Sequence, residues 1–307
     1  MRIPALALIG SALVACGAVS TQTAPSAFDG KRAFEHVRQL VDIGPRVAGT
    51  PGAARARDYI RKELTALGLT VQEQAFDATT PKGVVHMINL TATIPGRGAA
   101  ATRGRLVIGG HYDTKLFDTF TFVGANDGGS SAAFLIELGR AIKDRPHDLP
   151  IELLFLDGEE SVVEWQGTDH TYGSRYYVSA ARKANTLKDV RAFILVDMIG
   201  DKNLQILRET NSTAWLTDAI WAAARQLKRP EFVDTATEVE DDHIEFLEAG
   251  IQAVDIIDLQ YPDASSRYWH TQQDTLDKVS ATSLQAVGDV LVAALPAIEK
   301  RLADPNR

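Results

Sequence analysis

Apolar positions along the chain change their period part-way, and that change sets the expected fold. Over residues 33–41 and again over 53–67 they recur at every third or fourth position, the spacing of one helix face. Gly44-Pro45 breaks off the first stretch and Gly68 ends the second. Residues 70–76 and 86–94 carry β-type patterning, the latter closed by Pro95-Gly96. From there apolar runs alternate with helical stretches: strands are predicted over 106–108, 151–156, 192–196 and 253–257, and helices over 130–142, 172–183, 215–227 and 283–302. The strands are continuously apolar, which predicts burial on both faces. The expected fold is α/β: a three-layer α/β/α sandwich around a mixed, largely parallel twisted sheet, in a single domain. No repeat and no Pro/Gly-rich linker divides it.

The N-terminus departs from this pattern. After Met1-Arg2, residues 3–15 form an apolar run too short to span a bilayer and laid out like the hydrophobic region of a signal peptide. It ends Leu13-Val14-Ala15-Cys16-Gly17, which resembles the bacterial lipoprotein signal, in which the cysteine becomes the lipidated N-terminus. An ordinary cleaved signal with a chance cysteine is the alternative. Residues 17–28, rich in Ser, Thr, Ala and Gln, read as a flexible tether. The expected division is therefore signal 1–16, tether 17–28 and catalytic domain 29–307. Export to the periplasmic side or the outer surface follows, with membrane attachment through Cys16 only.

Composition adds three exclusions. The 307 residues, 45% hydrophobic, suffice for one large core and leave little room for disorder. A formal charge of −8, spread along the chain, argues against a nucleic-acid partner. Cys16 is the only cysteine, so disulfides and thiolate-held metal centres are excluded from the domain.

The chemistry gathers where predicted strands end. One runs into His111-Tyr112-Asp113, one into Asp157-Gly158-Glu159-Glu160, and one into Asp197. Ligands bind open α/β sheets just beyond the carboxyl ends of their strands, so three such ends delivering His, Asp and Glu describe a site. A single carboxylate there is commonly a helix cap, a reading that weakens when three coincide. Asp127, on the glycine-rich turn Gly124-Ala125-Asn126-Asp127-Gly128-Gly129, and His270 in a late loop complete the set. Histidine and carboxylates are the ligands zinc accepts in the absence of thiolates, and clustered carboxylates without a cation repel one another. Glu159 and Glu160 are adjacent and point apart, so one can hold metal while its neighbour acts as general acid or base. Asp113 either orients His111 or caps a turn. Trp165 and Trp269 read as core aromatics or, since both flank site loops, as pocket walls. Asp242 and His243 fit a supporting role or a helix cap, and His36, His86, His147 and His170 read as surface or packing residues.

The ordered set His111-x-Asp113, Asp127, Glu159-Glu160, Asp197, His270 resembles the zinc aminopeptidases with a co-catalytic metal pair, as do Gly44-Pro45-Arg46 and Gly49-Thr50-Pro51-Gly52. Phe155-Leu156-Asp157-Gly158-Glu159-Glu160 with Trp165, Glu240-Asp241-Asp242-His243, and Trp269-His270-Thr271 resemble that superfamily's glutaminyl cyclase branch. The resemblance implies one zinc held by Asp127, Glu160 and His270, with Glu159 as proton shuttle. It implies a hydrogen-bonded carboxylate pair of Asp197 and Asp241, and Trp165 and Trp269 lining the substrate pocket. His111 is then present without being needed as a ligand, and His111, Asp113 and His243 are left as second-metal or supporting residues. The implied reaction converts N-terminal glutamine of peptides and proteins to pyroglutamate with release of ammonia; a monomer is expected, although the sequence itself does not fix the oligomeric state. The disulfide of animal relatives is absent and some loops are shorter, so preferences at the pocket mouth stay open.

Two alternatives compete. A two-zinc aminopeptidase needs His111, Asp127, Glu160, Asp197 and His270, and all five are present. A catalytically silent peptide-binding lipoprotein has no use for Glu159.

Overall fold

In a computed structural model, which describes residues 27–304, α1 (Gly30–Ile43) and α2 (Pro51–Ala66) lead into a hairpin of β1 (Val71–Thr80) and β2 (Gly83–Ile94). The expected signal segment, Cys16 and most of the expected tether lie outside the described residues. Alternation then begins: β3 (Arg105–His111), α3 (Gly129–Ile142), β4 (Ile151–Leu156), α4 (Tyr172–Lys183), β5 (Val190–Asp197), β6 (Ile206–Glu209) and α5 (Ala214–Leu227). β7 (Phe232–Thr237), α6 (His243–Glu248), β8 (Gln252–Ile257) and α7 (Ala281–Ala303) complete it. Helix starts follow capping chemistry. Asp29 accepts from the amides of Lys31 and Arg32, and Thr50 caps α2 with Pro51 at its first position.

The main sheet runs β1-β2-β4-β3-β5-β8. β1, β2 and β4 pair antiparallel, while β4–β3, β3–β5 and β5–β8 are parallel. Alternate residues of each central strand serve different cores. Ile108, Leu153, Ile194 and Val254 face the larger one under α1, α3, α5 and α7, while Val107, Leu154, Leu195 and Ala253 face the smaller one under α4 and α6. Both faces are therefore buried, as the unbroken apolar runs require.

Three features differ from the sequence expectation. The first hairpin is longer than predicted, because its outer half alternates polar residues that a buried-strand template rejects. The parallel pair β6–β7 and the short helix α6 carry too few apolar positions to show a period. Phe28, assigned to the tether, is 2% exposed and packs against Phe134 with the ring centroids 4.9 Å apart and the planes tilted by 34°, so the packed domain includes residue 28.

Candidate active site

Three parallel strands of the main sheet end at one edge, and each leads into an ionisable group there. β3 ends at His111, β4 runs on to Glu159 and Glu160, and β5 ends at Asp197. The turn after β4 is fixed by Asp113, whose two carboxylate oxygens accept from the amides of Glu159 (3.2 Å) and Glu160 (3.3 Å). Asp127 sits on a loop tightened by Gly124 (φ +50°) and Gly128 (φ +71°). A Cβ on Gly128 would lie 2.4 Å from the Asp113 carbonyl oxygen, so only glycine lets the Asp127 loop close on β3. Met198 and His270, next to or within the site, hold left-handed backbones at φ +49° and +54°, where a side chain is strained and local packing must compensate.

These groups converge in two triplets. Asp127, Glu160 and His270 form one, with His270 Nε2 3.3 Å from Asp127 Oδ2 and 3.2 Å from Glu160 Oε2. His111, Asp127 and Asp197 form the other, with His111 Nε2 3.1 Å from Asp197 Oδ1 and 3.3 Å from Asp127 Oδ1. Asp127 Oδ2 and Glu160 Oε2 are buried without a hydrogen-bond partner, a costly state that a cation relieves. One imidazole nitrogen and two carboxylate oxygens suit zinc and leave a coordination position free, so the residues fit that ion.

Electrostatics point the same way. Burial pulls the His270 pKa down, but Glu160 and Asp127 against it push it up to about 10. His111 is likewise raised well above its usual value, burial being outweighed by Glu159 and Asp197. Glu159 is raised well above the carboxylate range by burial, with Glu160 and Asp241 adding to the effect and His111 opposing it. Burial and Asp197 raise Asp241 in the same way. The floor thus carries more negative charge than its imidazoles neutralise, and it takes up protons where a metal is absent.

A cavity of about 330 Å³ opens above the first triplet. Trp269 stacks on the His270 ring at 4.3 Å, and Trp165 stacks on His170 at 4.2 Å, so both indoles form walls. Phe117 and Phe122 meet the His270 ring edge-on at 5.8 and 6.0 Å and fix its plane. A larger surface cleft, about 430 Å³, lies between α1, α2 and α3, but neither metal-compatible triplet of the described residues reaches it.

Comparison with known proteins agrees with this geometry. The model of peptidase family M28 matches residues 89–295, which span every strand and loop that contributes to the site. The chain belongs to peptidase family M28. It is 30% identical to the glutaminyl-peptide cyclotransferase of Bothrops jararaca over 290 residues, covering 80% of this chain and 76% of that protein. The glutaminyl cyclase of an Acidobacteriales bacterium superposes with a TM-score of 0.83 at 38% identity, over 93% of this chain and all (100%) of that one. That of Porphyromonas gingivalis does so with a TM-score of 0.80 at 27% identity, over 89% and 100%.

Within this M28 chain, the residues singled out in the sequence fall into place unevenly. Asp127, Glu159, Glu160, Trp165, Asp197, Asp241, Trp269 and His270 all line one cavity. His111 lies beneath it and bridges Asp127 and Asp197. Asp197 and Asp241, expected as a carboxylate pair, each accept from other donors. Asp197 accepts from His111, Ser131 and the Met198 amide, and Asp241 accepts from the Asp242 amide. The charge of Asp197 is one cause that raises the Asp241 pKa. His243 belongs to neither triplet; it lies between Glu209 Oε2 at 3.2 Å and Asp255 Oδ2 at 3.7 Å, anchoring α6 behind Asp241.

Two supporting residues were missed. Asp274 accepts from the amides of Asp127 (3.1 Å) and Asn126 (2.8 Å) and from the Tyr261 hydroxyl (2.8 Å), and so holds the metal-site loop from behind. Arg46, read only as part of a motif, is fully buried and donates to the carbonyls of Tyr112, Val123 and Gly124. Its position after Gly44-Pro45 was the available signal.

Proposed function

We propose that this protein is a zinc-dependent glutaminyl-peptide cyclotransferase, converting N-terminal glutamine of peptides to pyroglutamate with release of ammonia. One observation carries the reading: a single cavity holds a three-ligand metal floor, a buried glutamate beside it and two tryptophan walls. Asp127, Glu160 and His270 are the zinc ligands. Zinc held there supplies Lewis-acid polarisation of the γ-amide carbonyl and stabilises the charge that develops on its oxygen.

The chain's own residues do the rest. A glutamine at the N-terminus carries its nucleophile and electrophile on one residue, so orientation between Trp165 and Trp269 contributes more than collision. The α-amine nitrogen bonds to the side-chain carboxamide carbon (Cδ), Glu159 accepts the proton that nitrogen loses, and the bond from that carbon to the amide nitrogen breaks as Glu159 returns the proton to departing ammonia. Asp241 lines the same cavity beside Glu159 and is placed to hydrogen-bond the reacting amide. The indoles exclude competing water.

The test is mass spectrometry of zinc-loaded protein incubated with a Gln-initiated peptide. Loss of one ammonia from an otherwise intact peptide is expected, with Glu159→Gln lowering kcat by at least about 100-fold. Release of a free N-terminal amino acid overturns the reading.

The second reading, a two-zinc aminopeptidase, draws on the His111–Asp127–Asp197 triplet. Metal analysis separates the two. The cyclase reading expects one zinc per chain, retained in His111→Ala, whereas two per chain favours the peptidase. The reading extends to a monomeric, exported lipoprotein acting on extracytoplasmic peptides. Incorporation of labelled fatty acid, lost in Cys16→Ala, tests the anchor.

A further inference from the structure

Seven carboxylate residues and no lysine or arginine line the cavity. Five belong to the floor and its proton chemistry; Glu238 and Glu240 do not. They flank Val239 in the segment after β7, where Val239 is buried and both glutamates are exposed. Glu240 is held in place: its Oε2 accepts from Trp165 Nε1 at 3.2 Å, and its Oε1 lies 3.9 Å from His170 Nε2. Burial lowers the His170 pKa, so this ring does not neutralise Glu240 at neutral pH. Nearby cations are engaged elsewhere. Lys115 Nζ donates to Ser161 and Arg175 pairs with Glu245 at 3.2 Å, and neither lines the cavity.

The floor marks where a ligand's first residue sits, because Asp127 Oδ2 and Glu160 Oε2 are buried there without hydrogen-bond partners. Trp165, Glu238 and Glu240 line the same cavity as that floor, so they form a wall available to the residues that follow.

We propose that Glu238 and Glu240 form the subsite for the residues following the N-terminal glutamine, and that the enzyme favours substrates with lysine or arginine there. The proposal rests on the cyclase reading. A unit charge about 6 Å from a half-solvated carboxylate changes relative transition-state binding roughly three- to tenfold. The preference shrinks as salt shortens the screening length, to about 3 Å at 1 M.

The experiment compares kcat/KM for Gln-Lys-Ala-amide, Gln-Ala-Ala-amide and Gln-Glu-Ala-amide on zinc-loaded protein at low and high salt. The expected order is Lys, then Ala, then Glu, with successive steps of roughly three- to tenfold that shrink towards one at high salt. In the double variant Glu238→Gln/Glu240→Gln, both on exposed positions, the ratios fall towards one at low salt as well. Equal or reversed preference in the unaltered protein overturns the proposal, and so does a preference that survives in the double variant. Absence of cyclisation with every peptide sinks the cyclase reading instead. Calorimetric Kd ratios for the same peptides on zinc-loaded Glu159→Gln protein then still decide the subsite.

Discussion

Arg46 shows how a single side chain can hold a site it never enters. Its guanidinium is buried, its pKa lowered to about 10 by burial against the pull of Asp274, Asp113 and Asp127, and three carbonyls from the two ends of the β3–α3 loop converge on it. Removing it leaves those carbonyls unpaired and the carboxylates of the floor without their fixed counter-charge. Arg46→Met is expected to cost about 3–5 kcal/mol in urea unfolding and to weaken zinc retention on dialysis. Arg46→Lys should recover only part of this, since one ammonium cannot span three divergent acceptors. Unchanged stability in Arg46→Met would show that water or relaxation satisfies those carbonyls. The ligand types were legible in the sequence because they follow apolar strands. Arg46 and Asp274 were not, because a buried cation and a buried carboxylate far along the chain carry no periodic signal.

At the scale of elements, the central strands were readable because burial on both faces leaves an apolar run that loops rarely imitate. The β6–β7 pair and α6 escaped because four to six residues hold barely one turn or two alternations. Yet the loop between β7 and α6 brings Glu238, Glu240 and Asp241 to the cavity, so the least legible region supplies one of its walls. The loop before α3 is the opposite case: its glycines were visible, and the structure gives the reason. Gly128→Ala places a methyl group 2.4 Å from a backbone carbonyl at a left-handed φ. A stability loss on the order of 1–3 kcal/mol is expected, together with weaker zinc binding because Asp127 precedes the displaced residue. Competition with a chelating dye measures the second effect. Lower stability with undiminished zinc affinity would mean that the loop shifts without moving Asp127.

The whole molecule concentrates buried carboxylates on one end of its sheet, and this fixes how its stability responds to acid. Burial lifts Asp157, Asp242, Asp258 and Asp274 each to about 7. These groups keep a proton when folded that the unfolded chain releases near pH 4. Their contribution is full below that value and is lost as pH rises towards 7. His270, raised to about 10, acts in the same sense at higher pH: its contribution is present below about 6.5 and is lost through its folded pKa. Glu209 acts oppositely. Burial raises it, but the bonds from His243 and the Asn211 and Ser212 groups outweigh that and set it at about 2. Its contribution is present above the unfolded value near 4.5 and is lost as pH falls towards 2. The zinc-free protein is therefore expected to be most stable near pH 4–5 and to lose stability steadily towards neutrality. Zinc competes with protons for its ligands, so loading the metal should move the optimum towards neutral pH. Asp258, which touches no zinc ligand and accepts from the Gln205 and Gln260 amides, isolates the carboxylate share of the effect. Urea midpoints measured between pH 4 and 7 on zinc-free protein should fall less steeply in Asp258→Asn, although its absolute stability drops with the lost acceptor. A midpoint that rises with pH across this window in the unaltered protein would mean that these acids are ionised and paired in the fold. The floor would then hold its charge without any metal.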